Sequence, residues 1–105
     1  MWIYMNDAFV SCVTDKHDAS QLLVRARHEG DLESLFPDAD IKNSGSDFDY
    51  RYRTSLPRWH VADIMANRLR YVDYPSFKSS INDKERRIAY EKCWAKMLDW
   101  QELVK

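Results

Sequence analysis

The sequence predicts an α+β domain, an antiparallel sheet of four or five strands with one short and two long helices packed on one face. Three observations carry this expectation. Short runs with period-two alternation occupy the first half of the chain, and two long stretches with apolar residues at helical spacing occupy the second. Strands followed by helices, rather than strands interleaved with them, is the order of segregated α+β packing. With 105 residues, 45% of them hydrophobic, the chain is long enough to close one core and too apolar to remain unfolded, so a single domain over residues 1–105 is expected.

Trp2 to Met5 and Ala8 to Thr14 are apolar runs parted by Asn6-Asp7, a pair that tolerates left-handed turn geometry, so a hairpin is expected over residues 2–14. A polar loop from Asp15 leads into Leu22 to Arg27, where Leu22, Val24 and Ala26 alternate with Leu23, Arg25 and Arg27 as in a half-exposed strand. Asp31 is placed to cap a short helix over Leu32 to Phe36, which Pro37 ends. A brief strand is expected over Asp40 to Lys42, turn chemistry around Gly45, and a strand over Tyr50 to Ser55. Val61, Ile64, Met65, Leu69 and Val72 predict a helix that Pro57 opens and Tyr74-Pro75 closes. Asn82 three residues before Glu85 reads as a capping box, and the stripe Tyr90, Cys93, Trp94, Met97 and Leu98 carries a second long helix to about Glu102.

Composition excludes several functions. Gly30 and Gly45 are the only glycines, so no glycine-rich loop can bring backbone N–H groups against a phosphate or dinucleotide. His17, His28 and His60 share no metal-ligand spacing, and no metal or cofactor is expected. Cys12 and Cys93 sit among apolar neighbours far apart in sequence, which reads as two buried thiols in a reducing, cytoplasmic setting. The apolar N-terminus lacks a basic flank and is broken by Asn6-Asp7, so neither export nor a membrane is expected. Pairing either thiol with a histidine would make a small Cys/His enzyme, but the apolar surroundings raise a thiol pKa rather than lower it. No catalytic residue is assigned.

The formal net charge of −1 hides a division, −6 over residues 1–50 and +5 over residues 51–105. The acids fall mainly in expected loops and caps, where Asp bonds its own backbone. If Val24, Ala26, Tyr50 and Tyr52 face the core, then Arg25, Arg27, Arg51 and Arg53 share the opposite, uncovered face. Guanidinium's planar fork suits acidic protein surfaces and phosphate. The connector Asp73 to Ser80 adds Tyr74, Phe77 and Lys78, the composition of an interface hot spot unless the rings fold back on the core. Tyr50-Arg51-Tyr52-Arg53 mixes aromatic and basic residues as RNA-binding strands do, but alternation puts the two kinds on opposite faces.

Met1-Trp2-Ile3 with Asn6-Asp7, Leu22 to Arg27, Gly30 to Glu33 with Phe36-Pro37, Asp49 to Arg53, and Tyr74 to Ser80 together resemble a widespread family of small uncharacterised bacterial and prophage proteins. The resemblance spans most of the chain and implies no activity or substrate. In size and context such a protein is similar in kind to phage-encoded inhibitors of bacterial defence, the anti-CRISPR proteins. The expected function is thus a non-enzymatic protein-binding domain, in its most specific form an inhibitor of a defence complex of the bacterial host, acting through Arg25, Arg27, Arg51, Arg53, Tyr74, Phe77 and Lys78. A nucleic-acid-binding module on the same face is the alternative. Pairing of that face in a homodimer would require acids opposite the arginines.

Overall fold

A computed structural model describes residues 1–105, which divide into two compact units, Met1–Asp73 and Tyr74–Lys105. The first unit holds a five-stranded antiparallel sheet in the order β1-β2-β3-β5-β4, from β1 (Trp2–Tyr4), β2 (Phe9–Thr14), β3 (Gln21–Ala26), β4 (Lys42–Asn43) and β5 (Tyr52–Pro57), with helices α1 (Asp31–Leu35) and α2 (Arg58–Arg70). The second unit is α3 (Phe77–Ser80) followed by α4 (Lys84–Val104). The α+β class expected from the sequence is therefore the observed one. In the first unit α2 contributes Val61 to the core of the sheet.

Alternation builds that core. Val10, Cys12, Val24 and Ala26 point to one side of the sheet and meet Leu32, Leu35 and Phe36 around α1 and Val61 of α2. Ile3, Leu22, Tyr52, Leu56, Ile64 and Met65 extend the cluster. Two residues expected on the apolar stripe of α2 do not join it: Leu69 and Val72 are exposed, because the helix runs past the core and ends at Tyr71.

Several boundaries differ from the sequence reading for local reasons. The Asn6-Asp7 turn closes with Met5 N–H donating to the Ala8 carbonyl at 2.8 Å and without any left-handed non-glycine residue; Asp7 instead pairs with Arg68 at 2.7 Å, joining the hairpin to α2. β4 begins two residues later than Asp40 and ends one later than Lys42, and β5 lies two residues later than Tyr50 to Ser55, since the register that pairs Lys42 with Arg53 leaves Tyr50 and Arg51 outside the ladder. The cap of α4 is Asp83, not Asn82, and its carboxylate accepts the Glu85 N–H at 3.1 Å.

Asp31 is not the cap of α1 either. Gly30 takes that position at φ 97°, the left-handed region where a Cβ is unfavourable, and Asp31 becomes the first helical residue. Its carboxylate, 3% exposed, turns away from its own helix to accept the Phe9 N–H of β2 at 2.9 Å. Removing it strands a donor inside the fold. Asp31→Ala should lower unfolding free energy by about 1–3 kcal/mol in urea denaturation. A loss below ~0.5 kcal/mol would show that this bond does not hold α1 to the sheet.

Candidate functional site: the uncovered face of the sheet

The side of the sheet away from α1 and α2 carries a continuous row set by the strand registers. Trp2 is paired with Ser11, Ser11 with Arg25, Arg25 with Arg53, and Arg53 with Lys42. Directly paired residues point to the same face, so one line crosses all five strands and runs roughly 19 Å at the usual interstrand spacing. Read across, it is an indole, a hydroxyl, two guanidiniums and an ammonium. No acidic side chain stands in it.

The arginines differ in how they are held. Arg25 donates to Ser11 Oγ at 2.9 Å and lies 4.6 Å from the centre of the Tyr50 ring, while its Nε is buried without a hydrogen-bond partner. Arg27 approaches the same ring at 4.2 Å and bonds Asp49 through both the carboxylate, at 3.0 Å, and the backbone carbonyl, at 2.8 Å. Arg53 donates to the Tyr50 carbonyl at 3.1 Å and sits 5.0 Å from the Phe48 ring. Arg51 is exposed on the approach to β5. Tyr50 is thus buried where Arg25 and Arg27 converge, and not turned to the core beside Tyr52 as alternation implied. The reason is that Tyr50 precedes the strand and escapes its alternation.

Electrostatics here are locally unfavourable. Arg25 faces Arg53, and Arg53 faces Lys42, and like charges directly opposite on a sheet cost stability of order 0.2–1 kcal/mol per pair. Cation–π contacts with Tyr50 and Phe48 offset part of this cost. Burial works against the charge of Arg27, but the Asp49 carboxylate outweighs it and holds that guanidinium's pKa up. At the other end of β5, Ser55 donates to Asp15 at 2.6 Å, which lowers the pKa of that exposed carboxyl.

Beside the cations lies an aromatic patch that sequence reasoning passed over. Trp2 is 66% exposed, and Tyr4 stacks on Phe9 with ring centres 4.5 Å apart. Tyr4 and Phe9 are register partners on the same side as Trp2. Aromatics and cations therefore do share a face, brought together from different strands. The signal was present: Trp2, Tyr4, Phe9 and Ser11 alternate with the inward Ile3, Val10 and Cys12, so carrying period two into the hairpin assigns them to the arginine side.

Tyr74, Phe77 and Lys78 belong to the second unit, where Phe77 stacks on Tyr90 at 5.8 Å, Tyr74 tilts against Phe77, and Lys78 lies 4.5 Å from the Trp94 ring. Within that unit the two rings are half-buried, and Lys78 is exposed.

The histidines, cysteines and carboxylates assemble no group of three or more able to hold a metal ion. Cys12 and Cys93 form no disulfide with each other, and burial raises the Cys12 thiol, with the N-terminal ammonium pulling modestly the other way. Cys12 should resist iodoacetamide at neutral pH until the protein unfolds, as read by mass spectrometry of the alkylated chain. Labelling of native Cys12 as fast as a free thiol would contradict its burial. No helix is long and apolar enough to cross a membrane. Comparison with known proteins finds no matching family model, curated protein or solved structure, so the functional argument rests on the residues of this face.

Proposed function

We propose that the chain is a non-enzymatic binding domain that recognises an acidic protein surface through the uncovered face of its sheet. The observation that carries the reading is the row Trp2–Ser11–Arg25–Arg53–Lys42, which places three cations and an exposed indole in line. Tryptophan, tyrosine and arginine are the residues that supply most binding energy in protein interfaces. Like charges only partly offset by ring contacts are a local conflict of the kind that proteins retain at functional sites, and an acidic partner would remove it. The most specific form, an inhibitor of a defence complex in a bacterial cytoplasm, extends this reading by analogy of chain size alone. Single-stranded nucleic acid is the second reading, favoured by exposed aromatics beside cations, since bases stack on the former while phosphates meet the latter.

The test uses the immobilised chain and its Trp2→Ala/Lys42→Glu variant in parallel on host extract, followed by titration of any protein captured. Capture by the wild type and loss in the variant is the expected result. Equal capture by both would overturn the reading. Fluorescence anisotropy with labelled single-stranded RNA and DNA over a salt series decides the second: binding that falls steeply with salt would replace the protein reading with the nucleic-acid one.

A further inference from the structure

A second surface lies on α4, where Tyr90, Cys93, Met97, Trp100 and Val104 recur at alternating intervals of three and four. This spacing puts the five residues on one face of the helix, a face that a second helix could cover. Within its own unit the seam is covered only at its N-terminal end, where Phe77 stacks on Tyr90 and Lys78 lies over Trp94. Beyond that, Met97, Trp100 and Val104 are 60%, 56% and 56% exposed, and of the residues flanking the seam Trp94 is still 56% exposed beneath Lys78 and Leu103 is 82% exposed. This is the opposite of the core role that their periodicity suggested.

We infer that the C-terminal half of α4 pairs with the same segment of a second copy of this chain, the two helices antiparallel. Area supports a stable pair. Five large apolar side chains with about 100–150 Å² open on each offer on the order of 600 Å² per copy, or about 1,200 Å² for two, which clears the threshold for a specific interface. A parallel pair would set the basic stretch Lys84, Arg86, Arg87 and Lys92 beside its own copy. In the antiparallel register that layers Met97 on Trp100 of the second copy, the basic stretches lie at opposite ends. The pairing rests on residues of α4 alone, so each proposal stands or falls without the other.

Sedimentation equilibrium of the full chain over the micromolar range is the test. The wild type should approach about 25 kDa, twice its 12.5 kDa, with half-dimerisation in the micromolar range. Met97→Glu should stay monomeric to at least ~30-fold higher concentration, because each seam would bury a carboxylate. Its circular dichroism melt should match that of monomeric wild type at high dilution, since Met97 is exposed in the single chain. Air oxidation checks direction: antiparallel pairing separates the two Cys93 residues by ~16 Å along the axis, and no cross-linked species should form. A wild type that stays monomeric throughout, or a Met97→Glu chain that still dimerises, overturns the inference. A Cys93–Cys93 disulfide overturns the antiparallel arrangement.

Discussion

Tyr50→Ala should lower unfolding free energy by about 3–5 kcal/mol and the melting temperature by some 15 °C or more. Tyr50 lies outside every strand and is only 3% exposed, so its ring is a core element placed on the side of the sheet that has no core. Its removal deletes a buried aromatic and also the surface against which two guanidiniums rest at 4.6 and 4.2 Å. Arg25 would then keep its bond to Ser11 while its Nε, already without a partner, loses the ring. Tyr50→Phe retains the ring and should stay within about 1 kcal/mol of wild type, which separates the stacking role from the hydroxyl. A Tyr50→Ala chain that melts within 2–3 °C of wild type would show that the arginines do not depend on this ring.

The second large effect is on binding. Trp2→Ala/Lys42→Glu should weaken the captured complex by about 100-fold or more, since an exposed tryptophan anchor carries roughly 2 kcal/mol or more and a reversed charge opposes an acidic partner along the same line. Both side chains stand at the surface, at opposite edges of the sheet, so stability should change by less than about 0.5 kcal/mol. That separation makes the pair a better probe than Arg25 or Arg53, whose substitution disturbs Ser11, Tyr50 and Phe48 as well. Titration calorimetry reads the result, and an affinity changed less than twofold would sink the assignment of this face.

Elements governed by local periodicity were legible in the sequence. The alternation of Leu22 to Arg27 located β3 and its faces to within a residue, and helical spacing placed α2 and α4. What was not legible depended on pairing between segments. Tyr50 has the alternation of a strand residue, yet the register of β4 and β5 begins after it, and no count along the chain reveals that offset. Asp31 has the chemistry of a cap, yet a donor on β2, distant in sequence, claims its carboxylate. The row across the sheet is likewise a property of four registers at once. For α4, periodicity marked an apolar stripe correctly but could not say whether the chain's own core or another surface meets it.

Both margins of the sheet are closed to growth by their brevity. β1 offers three residues and β4 two, and they are the outermost strands. A peptide adding itself as a sixth strand would find a template too short to align more than a few backbone bonds, and fibrillar stacking meets the same obstacle. The partner proposed for this sheet would then meet it broadside, against side chains, where sequence can discriminate.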